Sequence, residues 1–493
     1  MLRRLYFGLA LLALAPVWSV AYLPTSDGPS HLYNSWVLHE LVRGSHGPVA
    51  EWYAIDWRPH PNWLGHAVLA LLMTIVPPVV AEKLLVSGII LLFLYAIWRY
   101  AGAVDDRRRV FAFLAFPFAY NLLLQMGFYN FCISAALYFL LLAVWWKRRD
   151  RPDVRTIAIV AGLLLLCYFA HPMSTILAIG SIGILWLATI PGRPLVLHLR
   201  HLLAVLPVLP LLAWFFRVQG ATLAPAKVSA SGLFSYIRSM WVVLTFDEFQ
   251  AKLGSALFLV ISALIIVTLI RRRWRWSEGD AFFLVTLALV AVYARSPSAS
   301  SGGTMIMERM ALFVVLSPLA WLAPRLPRRF EIAFSVAFIV AFSIVSLAYT
   351  GYLVRRYRGL SRRVTELVRS ADTLGRDTAF VPLIRDVRAH GAFVPVLMHA
   401  IDYAAIEKGS IDIQNYEAAS GYFPIRFRTG IPPADPNATM GPQISELDIT
   451  PYVARAPYVF LWHVPDDAPV MSQLAACCER VGAAHGGRVY LRR

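Results

Sequence analysis

The chain has 493 residues, 58% of them hydrophobic and 15% charged, with a mean hydropathy of +0.59. Its apolar residues gather in blocks of about 15 to 22, the length a helix needs to cross a hydrocarbon core roughly 30 Å thick, which excludes one large soluble core, a disordered chain and a disulfide scaffold. The net charge of +17 sits mainly in short clusters between those blocks, as membrane orientation demands, and this pattern argues against nucleic acid as a partner.

The first block, residues 5–23 behind Arg3 and Arg4, reads as an uncleaved first span. Further blocks lie at about 65–80, 82–100, 110–125, 130–146, 156–170, 173–190, 201–217, 254–271, 280–294, 310–324 and 331–352. Arg107 to Arg109, Lys147 to Arg151 and Arg271 to Arg275 mark the cytoplasmic side. Parity then requires that one block between Arg4 and Arg107 does not cross. The 65–80 block, interrupted by Pro77-Pro78, suits a re-entrant or interfacial helix. The expected fold is an all-α polytopic membrane domain over 1–352, with about 11 to 13 transmembrane helices, followed by a small extracytoplasmic α/β domain over 353–493. In that tail, strand-like runs fall at 379–384, 393–398, 457–463 and 487–492, with helical stretches at 362–373 and 470–483. Nearly all the polar mass lies on the outer side, including residues 24–64 and a loop at 218–253. That loop carries Lys227, Trp241 and Phe246, an interfacial aromatic belt or a sugar-stacking surface.

The most informative segment follows the first span: Ser26-Asp27-Gly28-Pro29-Ser30-His31-Leu32-Tyr33-Asn34. Pro29 suits a first helical turn, Asp27 or Gly28 can cap it, and Leu32, Trp36, Val37 and Leu41 form an apolar stripe. Asp27 and His31 fall close together at the helix start. An acid beside an imidazole at the membrane surface supports base catalysis, metal binding or anion docking. The competing reading makes Asp27 a helix cap and His31 an interfacial polar residue.

This stretch, together with many spans and an outer C-terminal domain, resembles the GT-C superfamily of membrane glycosyltransferases, which includes protein mannosyltransferases, aminoarabinose transferases and oligosaccharyltransferases. The resemblance implies Asp27 as the catalytic base and a polyprenyl-phosphate-linked sugar as donor. The acceptor would be a glycan, lipid or protein hydroxyl, and the outer face of a bacterial inner membrane the place of reaction. One departure stands out. Several of these enzymes carry a second acid on the next outer tip, whereas here the tip reads Gln125-Met126-Gly127-Phe128-Tyr129-Asn130, which puts a two-carboxylate metal site in doubt.

Further candidates to bind substrate are His31, Asn34, Asn130, His171, Glu308 and Arg309. Asn130 could orient substrate or cap a helix, and His171, at the outer end of a span, could face a cavity or the interface. Arg309, behind a Ser/Gly-rich loop, could clamp a donor phosphate or snorkel to headgroups. A divalent metal ion, if used, would draw on Asp27, His31 and His171. Asp56, His60 and His66, among Trp52, Tyr53, Trp57 and Trp63, read as part of an interfacial segment, and Arg355, Arg356, Arg358, Arg362 and Arg363 as a solvated helix over headgroups or a phosphate-binding face. Two other readings compete with glycosyl transfer: a transporter or flippase for a lipid-linked or anionic solute, and a non-catalytic membrane scaffold.

Overall fold

The computed structural model describes the whole chain except residues 151, 190–193, 220–222, 225–228, 241–246, 273–275, 297–298, 301–302, 324–327, 390 and 432–434. Arg151, Lys227, Trp241, Phe246, Arg273 and Arg275 therefore lie outside the described residues. Two compact units form: one from residues 1–14, 88–124 and 130–351, the other from 15–87, 125–129 and 352–493.

Six described helices are long and apolar enough to cross a bilayer: Pro78–Ala101, Tyr129–Arg148, Pro172–Thr189, Leu199–Val218, Glu248–Arg272 and Arg329–Ser370. Other apolar blocks are broken. Residues 5–23 give a helix at Leu2–Leu12 and a single turn at Ala15–Trp18, interrupted where Pro16 has no amide hydrogen to offer. The 110–125 block, expected to be a span, runs instead as tight 3-10 turns, Asp106–Ala115 and Pro117–Tyr120, then one turn at Leu122–Gln125. Pro117 is again the break, and 3-10 geometry is how a short interrupted run closes its backbone bonds.

Within the first unit, polar side chains between helices find one another, as a water-free interior requires. Ser134 Oγ meets Ser174 Oγ at 2.7 Å, and the Tyr138 hydroxyl meets Ser181 Oγ at 2.9 Å, joining Tyr129–Arg148 to Pro172–Thr189. The Tyr100 hydroxyl donates to the Ser317 carbonyl at 2.8 Å. Arg272 pairs with Asp280, whose Oδ1 also accepts from the Trp321 indole N–H at 2.7 Å and whose Oδ2 accepts from Ser277 N and Oγ. Each of these groups is buried.

The second unit joins the first loop to the C-terminal segment. Its loop helices are α1 (Gly28–Val42) and α2 (Trp63–Leu72), the latter ten residues long and too short to cross a bilayer. Between them, β1 (Tyr53–Ile55) pairs antiparallel with β4 (Ile425–Phe427). The C-terminal segment carries β2 (Ala379–Ile384), β3 (Ile411–Asp412), β5 (Tyr458–Trp462), β6 (Cys478–Ala484) and β7 (Gly487–Arg492), in sheet order β3-β2-β5-β7-β6. β2 runs parallel to both its neighbours, and the β5-β7-β6 edge is antiparallel. Residues 393–398, expected as a strand, form turns around Pro395, which cannot donate to a sheet ladder. The expected helix at 470–483 stops at Cys477, and β6 follows as one arm of a hairpin. His485 and Gly486 close that hairpin with φ of 52° and 89°, the pair of positive angles a two-residue type I′ turn needs. A short helix, α3 (Tyr416–Ser420), completes the elements that matter for the site.

Candidate functional site

Asp27 stands at the N-cap position of α1 with Pro29 in the first turn, the local pattern its sequence predicts. Its carboxylate, however, bonds none of the helix N–H groups. Instead Ser26 Oγ donates to Asp27 Oδ1 at 2.9 Å, and the Tyr416 hydroxyl on α3 points at Oδ2 from 3.4 Å. Asp27 is half-buried among fully buried neighbours, and is held by hydroxyls rather than by a cation.

The backbone under Asp27 is pinned by the turn at 125–129. Ser26 N donates to the Gln125 carbonyl at 3.2 Å, and Asp27 N to the Met126 carbonyl at 3.0 Å. Gly127 makes this approach possible: its φ is +82°, and a Cβ there would press on Gly28 N and come within 2.9 Å of Asp27 N and C. The Tyr129 hydroxyl, at the end of the turn, meets Thr25 Oγ1 at 3.1 Å and donates to Glu82 Oε1 at 2.7 Å. Glu82 Oε2 accepts from the Tyr403 hydroxyl at 2.8 Å. Glu82 is completely buried, and next to it Lys83 Nζ donates to the Val20 carbonyl at 2.6 Å.

One helical turn beyond Asp27, His31 lies 2.8 Å through Nδ1 from Glu417 Oε1 on α3. The other carboxylate oxygen, Glu417 Oε2, is 2.7 Å from His66 Nε2 on α2. The two imidazoles meet edge to face at 5.2 Å, and the Phe423 ring lies against both. Burial works to lower the pKa of His31, but the Glu417 charge beside it outweighs that and holds it above its ordinary value. Burial works to raise the pKa of Glu417, and the two histidines pull it well below the usual carboxylate range. Of the three residues expected to hold a metal, His31 belongs to this three-donor group, and its companions are His66 and Glu417. His66 is thus an inward, fully buried side chain and not an interfacial one.

Asn34, one turn further along α1, is fully buried and exchanges amide bonds with Asn415: its Nδ2 donates to Asn415 Oδ1 at 3.1 Å, and Asn415 Nδ2 donates back to Asn34 Oδ1 at 2.9 Å. Asn415 also caps α3 by accepting from Ala418 N. Asn34 therefore orients α3, and with it Tyr416 and Glu417, through a side-chain pair whose bonding capacity is filled by protein.

A second feature of this unit is a cavity of about 530 Å³ lined by Ser19, Val20, Ala21, Arg355, Arg358 and Arg362. The three arginines recur every three to four residues, so a single helix face presents three cations.

The remaining sequence candidates lie in the first unit. His171 follows the helix Val154–Ala170, and its Nε2 accepts from Arg309 Nη1. An imidazole nitrogen that accepts from a guanidinium carries no proton of its own, so His171 is neutral in this arrangement. Arg309 is buried and lies 5.2 Å over the Phe131 ring, which meets His171 edge to face. Asn130 is buried at the start of its helix, and Glu308 is half-buried beside Arg309.

Sequence reasoning missed Glu82, Tyr416 and Glu417. Glu82 opens an apolar block and reads as a flanking charge, and the other two are about 390 residues from the helix they serve, with no local signal to connect them.

No protein-family model and no curated protein matches the chain. Among solved structures, it is similar over 99% of its length to ArnT from Cupriavidus metallidurans, covering 97% of that chain at 14% identity with a TM-score of 0.52. It also overlays arabinofuranosyltransferase AftD from mycobacteria, at 16% identity and a TM-score of 0.49, over 99% of this chain and 41% of that one. The likeness to ArnT shows the fold to be the GT-C fold that the sequence resemblance implies.

Proposed function

We propose that this GT-C-fold membrane protein is a glycosyltransferase that moves a sugar from a polyprenyl-phosphate-linked donor to a hydroxyl acceptor on a glycan, lipid or protein at the extracytoplasmic face. The observation that carries this reading is the Asp27 carboxylate. It sits at a helix start whose capping bonds it does not make, and two hydroxyls hold it in place. A half-buried carboxylate kept from a structural duty and aimed by neighbours is what a general base needs. The fold shared with ArnT, an aminoarabinose transferase of the GT-C class, supports the reaction type.

In this reading Asp27 takes the proton of the acceptor hydroxyl as its oxygen attacks the anomeric carbon. The bond from that carbon to the phosphate oxygen breaks, and the electron pair leaves with the polyprenyl phosphate. Attack opposite the leaving group inverts the anomeric centre. The departing phosphate needs positive charge, and its candidate holder in the same unit is the arginine-lined cavity of Arg355, Arg358 and Arg362. Ser26 and Tyr416 orient the base, and Asn34 and Asn415 position α3.

The test is sugar transfer from a panel of radiolabelled polyprenyl-phosphate sugars by membranes holding the wild type or Asp27→Asn at matched protein levels. The reading expects transfer by the wild type and at least a thousandfold loss in the variant, about 4 kcal/mol of barrier. Equal transfer by both would remove Asp27 as base, and no transfer by either would favour transport or scaffolding.

A further inference from the structure

At Glu417, a neutral His66 leaves two lone pairs face to face. His66 Nδ1 lies 2.9 Å from the Asn62 carbonyl, and because a carbonyl only accepts, that nitrogen carries the proton. In the neutral ring, Nε2 is then a bare lone pair, yet it faces Glu417 Oε2, another lone pair, at 2.7 Å. Across the site, His31 Nδ1 and Glu417 Oε1 are 2.8 Å apart, but neither makes a properly directed hydrogen bond, although both atoms are buried. Electron-rich atoms aimed at one point, with a backbone carbonyl fixing the tautomer of a histidine, are the arrangement that surrounds a cation in metalloproteins.

We propose that His31, His66 and Glu417 bind a single divalent transition-metal ion of the zinc class, which clamps the first-loop helices α1 and α2 to α3 of the C-terminal segment. The donor set is two imidazole nitrogens and one carboxylate oxygen, which selects zinc or a similar first-row ion over magnesium and calcium, whose ligands are oxygens. The three donor atoms lie within 4.8 Å of one another. A tetrahedral zinc site with bonds near 2.0–2.1 Å has edges of about 3.3 Å, so the side chains are already gathered to that scale. All three residues are buried, and the Phe423 ring closes against both imidazoles. The reciprocal amides of Asn34 and Asn415 lie beside the cluster on the same two helices and fix the approach of α3 to α1. Neither Asp27 nor the transfer reaction enters this argument, so the two proposals stand or fall separately.

The experiment uses the full chain in detergent, purified through a tag without histidines, and reads metal content and melting temperature. The proposal expects close to one zinc per chain by elemental analysis, a lower melting temperature after treatment with a strong chelator, and recovery on adding zinc back. Cobalt in place of zinc should give the visible bands of a low-coordinate nitrogen-and-oxygen site. Glu417→Gln keeps the shape and hydrogen bonding of the side chain and should weaken zinc binding by more than the roughly 100-fold typical of an outer-shell change. Asp27→Asn should retain the metal in full. Since Glu417→Gln could fail by unfolding, the chelation and re-addition series on the wild type decides independently. A melting temperature indifferent to chelator and zinc, with no stoichiometric metal, would overturn the proposal, as would Glu417→Gln binding zinc as the wild type does.

Discussion

Gly127→Ala is the sharpest probe of how the Asp27 turn is built. The residue has φ of +82°, where an alanine costs about 1–2 kcal/mol. A Cβ there would collide with the backbone at Gly28 N and come within 2.9 Å of Asp27 N and C, and backbone cannot swing aside as a side chain can. Relief requires the two strands of the turn to part, which loosens the bonds from Ser26 N to the Gln125 carbonyl and from Asp27 N to the Met126 carbonyl, each worth about 1 kcal/mol. With the overpacking itself at about 1–3 kcal/mol, the substitution should cost roughly 2–5 kcal/mol if the turn holds and its bonds are kept. If the turn yields, Asp27 moves, and a displacement near 1 Å is enough to slow catalysis about 100-fold. Gly44→Ala is the matched control, because Gly44 has φ of +76° with no atom within 4 Å of the added Cβ. Thermal melts and sugar-transfer rates of both variants should therefore show a modest stability loss for Gly44→Ala and a much larger defect, in stability or in rate, for Gly127→Ala. Equal behaviour of the two would refute the claim that this close approach positions Asp27.

Other outcomes follow from the same unit. Asn34→Ala leaves the buried amide of Asn415 short of a partner and should destabilise by about 1–3 kcal/mol; Asn34→Ala with Asn415→Ala should cost less than the two changes added, in a double-mutant cycle of melting curves. Arg358→Gln removes one cation from the cavity beside Ser19–Ala21 and should lower kcat/KM for the lipid-linked donor by about 10- to 100-fold, mainly through KM, if a phosphate sits there. The buried pair Asp402 and Asp412 makes stability depend on pH. Burial raises both, Asp412 to about 7, so the folded state holds protons that the unfolded chain has released above its ordinary value near 4. Their contribution is complete at acid pH and is lost as pH rises through 7. Asp402→Asn should flatten the fall in melting temperature between pH 5 and pH 8; an unchanged slope would show that the pair does not titrate as its burial requires.

What the sequence disclosed was local. Pro29 after Asp27 marked the start of α1, and strand-like runs located β2 and β7 residue for residue. The helical reading of 470–483 overlooked the turn at His485-Gly486, whose two positive φ angles commit both flanking arms to strand. The span expected at 110–125 was a miss, because Pro117 breaks that block into 3-10 turns. Long-range placement was not legible. His66 and Glu417 are 351 residues apart, and the Asp27 carboxylate with its Tyr416 hydroxyl 389, and no periodicity encodes such meetings. The interfacial reading of His66 followed from its tryptophan neighbours in sequence, whereas its position follows from which face of α2 turns to Glu417.

The 389 residues between Asp27 and Tyr416 also order events in time. At roughly 5–20 residues per second a ribosome delivers Asp27 about 20 to 80 s before the hydroxyl that aims it. During that interval α1 is in place without α3, and His31, His66 and Asn34 await their partners. On the proposed role of Asp27, a product truncated before residue 416 carries the acid without the hydroxyl that holds it, and is expected to be inactive.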